Sequence, residues 1–194
     1  TELVSRLDAI DGNDQRNQVL CAAVLAAMNI APVITIHLDF GRDNHNDNDF
    51  VIETERHQSA LADVALLVSE LDQLQLEGAL QHDYLIASLN VFGRTLKKKG
   101  MNGRDHNSGH HCMWMIGSNL KGGVIGGLTP EGPNGEYIAK PINSATGAGE
   151  AGGDIGYDET LGSMGKTLAV AAGVSAERAD EMIDSGKVVA AAFV

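Results

Sequence analysis

Three stretches of the sequence carry side chains that could bind a metal ion or an anion. The first stretch, residues 39–45, contains Asp39, Asp43 and His45. A carboxylate and an imidazole two residues apart can both reach one divalent metal ion such as zinc or manganese. The alternative is an Asx-rich turn whose side chains are solvated, and these residues alone favour that alternative.

The second and third stretches add arginines and histidines. Arg94 follows a predicted strand, where a guanidinium can bind an anionic group through two hydrogen bonds, although pairing with one of the many acidic residues is equally consistent. Residues 103–111 contain three of the seven histidines, His106 among them, beside Asp105. Neutral imidazole is the commonest metal ligand, and a neighbouring carboxylate fixes its tautomer. This third stretch therefore favours metal binding over a structural role.

Calcium binding at residues 43–49 is an open alternative. Acidic residues and a histidine alternate there as calcium ligands do, at Asp43, His45, Asp47 and Asp49. An EF-hand requires glycine at the sixth position of the loop and glutamate at the twelfth, but Asn48 and Thr54 occupy those positions. The sequence excludes an EF-hand and leaves an irregular calcium site open.

Two glycine motifs do not predict nucleotide binding. Residues 147–152 match G-x-G-x-x-G, but the flanking residues have loop character rather than the strand and helix that the motif requires. Residues 165–167 resemble the end of a phosphate-binding loop, yet Thr160 stands where its first glycine belongs. We predict a flexible loop at the first motif and reject the second.

Composition narrows the class of protein. The chain has 194 residues and a formal net charge of −12, which argues against an extended nucleic-acid interface and suits cation binding or simple solubility. No apolar run reaches the length of a membrane span. Cys21 and Cys112 form no disulfide framework, and we expect both side chains to be buried, with a ligand role as the less favoured alternative for Cys112, which follows two histidines.

Hydrophobic periodicity indicates alternating helices and strands. It predicts helices over residues 14–29, 51–77, 160–172 and 175–184, and strands over residues 33–39, 84–89, 111–116 and 188–194. This alternation predicts an α/β layered sandwich with a mostly parallel sheet, in which ligands bind at the carboxyl ends of the strands.

The glycines are concentrated in the second half of the chain, where nineteen of the 23 lie at or beyond Gly100. We nevertheless expect one domain over residues 1–194. Within it we distinguish a helical lead-in (1–30), a motif-bearing core (31–127), a glycine-rich loop region (128–159) and C-terminal helices with a last strand (160–194).

Four motifs occur in a characteristic order. They are D-x-G-x-D-x-H from Asp39 to His45, F-G-R-T around Arg94, G-R-D-H ending at His106, and K-G-G-V from Lys121 followed by Gly126. Together they resemble the carboxy-terminal half of the protein family called domain of unknown function 1501, with similarity running from about Ile34 to Gly127.

The resemblance implies a sulfatase-like protein of the alkaline phosphatase superfamily, with an alkaline phosphatase-like sandwich fold. It implies hydrolysis of a small phosphate or sulfate ester with a divalent metal (zinc, manganese or calcium), in the periplasm or outside the cell. The implied metal ligands are Asp43, His45 and His106, with Asp39 as second choice. Arg94 and Arg104 would stabilise charge on the transferring group, and Asp105 would orient His106.

Two departures from the family pattern motivate an alternative. The family usually has an acidic residue just before F-G-R-T, whereas this chain has Val91, preceded by Asn90. The nucleophile of the superfamily lies in an amino-terminal half, so we expect a missing front half or a partner chain to supply it. The alternative is a non-catalytic exported or assembly protein that keeps the fold with at most a structural metal or calcium.

Overall fold

The computed structural model describes residues 2–41, 43–89, 92–96 and 103–194. The chain packs as two compact units: Thr1–Asp83 with Gly100–Gly103, and Tyr84–Lys99 with Arg104–Val194. The predictions made at Asn90 and Val91 lie outside the described residues. The prediction of one domain with four internal segments stays a prediction.

The first unit is built from three helices, α1 (Glu2–Asp8), α2 (Gln15–Ala27) and α3 (Val51–Leu76). The sequence predicted α2 and α3 and missed the short α1. Helix α2 begins where the Asp14 carboxylate accepts a hydrogen bond from the Asn17 amide at 2.9 Å, which satisfies one of the open donors of the first turn. Helix α3 ends before Gly78, whose φ of +73° suits glycine.

The core of the first unit lies between α2 and α3. On α3 the buried apolar residues recur every three or four positions, and they are Ala60, Val64, Leu67, Leu71 and Leu74. They face the buried side of α2, which includes Val19 and Ala23. Leu61 lies outside this buried stripe and is 57% exposed. Arg6 of helix α1 forms ion pairs with Glu70 of α3 and with Glu77, the residue that follows α3.

The second unit contains two small antiparallel sheets. Strand β1 (Leu85–Ala87) pairs with β2 (Met115–Gly117), so that Ile86 lies opposite Ile116. Strand β3 (Leu128–Thr129) pairs with β4 (Ile138–Ala139). Helices α4 (Thr160–Ala171) and α5 (Ala176–Met182) follow, together with three-residue 3₁₀ helices at Pro133–Gly135, Tyr157–Glu159 and Ala190–Ala192.

The predicted α/β sandwich with a mostly parallel, alkaline phosphatase-like sheet is wrong. The sheets of the described residues are two antiparallel two-stranded pairs, and the other β-bridges are isolated. The apolar run at residues 33–39 pairs with no strand in this part of the structure, and Val33 is 78% exposed. The last predicted strand contains a 3₁₀ helix and a single bridge between Leu120 and Phe193. A β-branched run predicts an extended backbone, but a strand also needs a partner that local sequence does not specify.

Several other local predictions are confirmed. Strand β1 lies within the predicted strand 84–89, and α4 and α5 match the predicted C-terminal helices, with Ser175 capping α5 through the Arg178 amide at 3.2 Å. Residues 147–152 form a loop, as predicted. Both terminal glycines of this loop have positive φ. Cys112 is exposed, contrary to expectation, and Cys21 is half-buried. Within the described residues, no helix combines the length and apolar character needed to span a bilayer.

Candidate functional site

Two of the sequence motifs pair to form one structure in the second unit. Residues 92–96 run antiparallel to residues 104–107, and we call this pair the arginine ribbon. The Thr95 amide donates to the Asp105 carbonyl at 2.9 Å, and the Asn107 amide donates to the Gly93 carbonyl at 3.0 Å. Arg94 and His106 therefore form the non-hydrogen-bonded pair between these bonds, in which opposing side chains come closest.

One face of the arginine ribbon carries an aromatic ring, a guanidinium and an imidazole. The rings of Phe92 and His106 meet edge to face, with centroids 4.9 Å apart. The guanidinium of Arg94 lies over the Phe92 ring at 4.9 Å, in the range of a cation–π interaction. Phe92 and His106 are exposed and Arg94 is half-buried. This face therefore presents a cation and a proton-carrying group side by side.

The residues that alternate with these along the ribbon stabilise the fold. Thr95 is only 3% exposed, and its hydroxyl oxygen accepts from the Asp105 amide at 3.0 Å. The Asn107 side chain donates to the Tyr137 carbonyl and accepts from the Gly109 amide, both at 2.8 Å. A Cβ on Gly93 would lie 2.0 Å from the His110 carbonyl oxygen, so only glycine fits there. Along residues 92–96, the period of two separates buried structural residues from the more exposed ones.

Arg104 and Asp105 take part in holding the ribbon together. The Arg104 guanidinium donates to the carbonyls of Thr95 at 3.0 Å and Leu96 at 2.5 Å. Asp105 contributes its backbone amide and carbonyl to the pairing with Thr95. These contacts make Arg104 a positioning residue for the strand that carries Arg94. The predicted roles of Arg104 toward a substrate and of Asp105 toward His106 stay predictions.

The acidic loop, residues 43–49 of the first unit, brings two predicted metal ligands together. Oδ1 of Asp43 accepts from the His45 amide at 3.1 Å and lies 3.7 Å from His45 Nε2. Oδ1 of the intervening Asn44 is buried and finds no hydrogen-bond donor among the described residues. A carboxylate oxygen, an imidazole nitrogen and an amide oxygen are a donor set that suits a divalent cation.

Another carboxylate of the acidic loop, that of Asp47, stabilises the start of α3. Asp47 is 7% exposed, and its carboxylate accepts from the amides of Glu53 at 2.8 Å and Ile52 at 3.4 Å. These amides belong to the first turn of the helix, where donors lack intrahelical partners and negative charge is favourable. Gly103 packs against the same loop, since its amide donates to the His45 carbonyl at 2.7 Å.

Another predicted ligand, Asp39, already contacts other side chains of the chain. Its carboxylate forms an ion pair with Arg56, and its amide donates to the Gln15 side chain. Asp39, Asp43 and His45 belong to the first unit, and His106 belongs to the second. A search of the described residues finds no group of three or more histidine, cysteine, aspartate or glutamate side chains placed to hold one metal ion.

A histidine network in the second unit escaped the sequence analysis. The Thr160 hydroxyl donates to the Tyr157 carbonyl at 2.6 Å, so it must accept from Nε2 of His111 at 3.3 Å. The Tyr157 hydroxyl donates to the Ser108 carbonyl at 2.6 Å and lies 3.4 Å from Nδ1 of the same imidazole. Burial lowers the pKa of His111, and His110 lowers it further. The partners are more than 40 residues away in sequence, and no local pattern signals them.

Comparison with known proteins agrees with the order of the motifs. The model of a family described as "Protein of unknown function (DUF1501)" matches residues 5–142, which is more than half of the chain. No curated protein and no solved structure matches the chain. The resemblance that the four motifs indicated is thereby confirmed at the level of the family, and this chain belongs to the DUF1501 family of proteins of unknown function.

Proposed function

We propose that the chain takes part in the metal-dependent hydrolysis of a phosphate or sulfate ester. The observation that carries the proposal is the exposed face of the arginine ribbon, where Arg94 and His106 lie directly opposite each other beside Phe92. A guanidinium matches the oxygens of phosphate and sulfate groups bidentately, and an imidazole can bind a metal ion or transfer a proton near neutral pH.

In this proposal Arg94 binds the anionic group and stabilises the charge that develops on it during transfer. His106 presents its ring nitrogen on the same face, as a metal ligand or as a proton carrier. Arg104 keeps the strand that bears Arg94 in register through the carbonyls of Thr95 and Leu96. Asp105 is assigned the role of orienting His106.

The acidic loop is assigned the divalent cation, which is zinc, manganese or calcium. Asp43 and His45 would hold it, aided by the unsatisfied amide oxygen of Asn44. Asp39 is a second choice, because a metal ion would first have to displace its ion pair with Arg56. When bound, such a cation polarises an ester oxygen or lowers the pKa of a water molecule.

The nucleophile is not among the residues assigned here. We propose that a partner chain or an amino-terminal segment supplies it, and that the protein acts in the periplasm or outside the cell. The guanidinium of Arg94 supports the substrate class, since it matches the oxygens of a small anionic ester.

Elemental analysis of the purified chain tests the metal assignment. We expect zinc, manganese or calcium to co-purify with or load into the wild type, and to be lost when both His45 and His106 are replaced by Ala. His37→Ala, which changes another exposed histidine, is the matched control and should retain the metal. A wild type that takes up no divalent metal, or a double variant that keeps it, would show that the metal assignment is wrong.

A second candidate function is a non-catalytic exported or assembly protein with at most a structural metal or calcium. It is favoured by the capping role of the acidic loop, where Asp47 binds two amides of α3. Hydrolysis of aryl phosphates and aryl sulfates with added divalent metals, assayed together with the amino-terminal segment or partner chain that supplies the nucleophile, separates the two candidates. Turnover that disappears in His106→Ala excludes the non-catalytic candidate, whereas calcium-dependent melting without any turnover supports it.

A further inference from the structure

The K-G-G-V motif has no part in the proposed hydrolysis, yet it lines a small cleft of the second unit. We call this the glycine cleft: residues 121–125 form one wall, and Thr146 and Ala191 complete the lining. Its volume is about 100 Å³. Among the described residues, the lining includes one cationic side chain, Lys121, and no carboxylate, although the whole chain has a net charge of −12.

The wall of the cleft is anchored at both ends. The Lys121 amide donates to the Ala192 carbonyl at 2.8 Å, and the Gly126 amide donates to the Gly147 carbonyl at 2.7 Å. Between these anchors, the amides of the four residues 122–125 donate to no acceptor in the described part of the chain. Residues 121–125 are all exposed. The fold therefore holds four consecutive amide donors at the surface between two fixed points.

The space over this wall is open, and the charged group that borders it is the Lys121 ammonium. A Cβ built on Gly122 or Gly123 would meet no atom within 4 Å, so a ligand can approach the backbone closely there. The Lys121 ammonium forms no ion pair with any residue that the structure describes. Successive backbone amides with a nearby lysine are the elements from which proteins build anion-binding concavities.

We propose that the glycine cleft binds a free tetrahedral oxyanion, phosphate or sulfate, through Lys121 and the amides of residues 122–125. The cleft is several times larger than the roughly 10–15 Å³ that a single water molecule needs, which leaves room for one such ion. Sulfate and phosphate offer four oxygens for the available donors, whereas chloride offers a single centre. The proposal uses none of the residues assigned to ester hydrolysis and stands independently of it.

Titration of the ¹⁵N-labelled chain, followed by NMR, tests the cleft. Sodium phosphate and sodium sulfate are added separately, with sodium chloride at matched ionic strength as the reference. We expect the amide resonances of residues 122–125 to shift saturably with either oxyanion. Lys121→Met, which keeps the aliphatic stem, should raise the dissociation constant by about tenfold, because a charged hydrogen bond is lost. Lys140→Ala, which removes a charge outside the lining, should leave the constant unchanged.

Two further variants test whether the charge at position 121 is what matters and whether the ion binds at the cleft rather than at the arginine ribbon. Lys121→Arg should restore binding, and the spectrum of each variant reports whether it is folded. Arg94→Ala distinguishes the cleft from the arginine ribbon, because it should leave the shifts of residues 122–125 intact. Absence of saturable shifts, equal shifts with chloride, equal effects of the Lys121 and Lys140 variants, or loss of these shifts in Arg94→Ala would each overturn the proposal.

Discussion

The arginine ribbon and the acidic loop both lie within the part of the chain that the family model matches, but they divide structural and exposed polar groups in different ways. In the ribbon, the strand period places Thr95 on the buried face and leaves His106 exposed. In the acidic loop, buried Asp47 and exposed Asp43 follow no regular period. Once the strand register is known, alternation sorts most of the ribbon, whereas in the loop only the individual contacts show which carboxylate caps a helix and which can bind an ion.

The largest effect we predict comes from the ribbon's tightest contact. Gly93→Ala would place a Cβ 2.0 Å from a backbone oxygen, so the two strands must separate. We expect the free energy of unfolding to fall by about 3 kcal/mol or more, with a decrease in Tm of about 10 °C. Thermal unfolding followed by circular dichroism measures this. Gly41→Ala is the matched control, since its Cβ meets nothing within 4 Å, and equal Tm values for the two variants would contradict the packing.

The acidic loop should show the next largest effect. Asp47→Ala removes the carboxylate that accepts from the Glu53 and Ile52 amides, leaving donors of α3 unsatisfied. We expect a loss of about 2 kcal/mol in the free energy of unfolding, at the upper end for a helix cap.

Asp43→Ala serves as the comparison within the same loop, measured by urea denaturation without added metal. Because Asp43 is exposed and makes its described contacts only with His45, its loss should cost less. A larger loss for the Asp43 variant than for the Asp47 variant would reverse the division of roles that we draw within this loop.

A smaller effect separates the two faces of the ribbon. Thr95→Val keeps the shape of a buried side chain but leaves the Asp105 amide without its acceptor, which should cost about 1 kcal/mol. His106→Ala, on the exposed face, should change the denaturation midpoint less. If His106→Ala proves the more destabilising of the two, the exposed face also supports the fold.

The smallest effect concerns pH. Because burial lowers the pKa of His111 in the folded state, the unfolded chain, with an ordinary histidine pKa of about 6.5, binds more protons below that value. His111 therefore favours the folded state above about pH 6.5, and this contribution is lost as the pH falls toward the folded-state pKa. The Tm should decrease between pH 7 and pH 5, and His111→Gln should flatten that dependence, while exposed His82→Gln should not.

Asp154 does not confound this measurement. The Ser144 amide and the Lys187 ammonium lower its pKa, so its contribution is present above the ordinary aspartate value and is lost only as the pH falls below about 4. An unchanged Tm across the histidine range would show that His111 titrates alike in both states.

Local signals predicted the helices, and the pairing of distant segments explains the failures. Helices α2 and α3 follow from apolar residues at intervals of three and four, which is information contained within each segment. The partner of β1 lies about thirty residues away, and the run before the acidic loop has no strand partner among the described residues. No periodicity encodes those facts, so the parallel sheet was predicted where the sheets of the described residues are antiparallel pairs.

The candidate site was predicted in its residues but not in its geometry. The motifs singled out Arg94 and His106 separately, and only the strand register shows that they lie opposite each other. The network around His111 was missed because its partners, Tyr157 and Thr160, come from the glycine-rich half of the chain. No local pattern indicates that Phe92 contacts both of these side chains.

The most direct test of the central claim is the hydrolysis of an aryl phosphate and an aryl sulfate in the presence of zinc, manganese or calcium. The wild type, His106→Ala and Thr95→Val, each together with the amino-terminal segment or partner chain proposed to supply the nucleophile, are compared at a temperature at which all three are folded. We predict metal-dependent turnover in the wild type, a decrease in kcat of about 100-fold or more in His106→Ala, and nearly unchanged kcat in Thr95→Val. Absence of turnover in the wild type with every metal, or equal turnover in His106→Ala, would contradict the assignment of the exposed ribbon face to this chemistry.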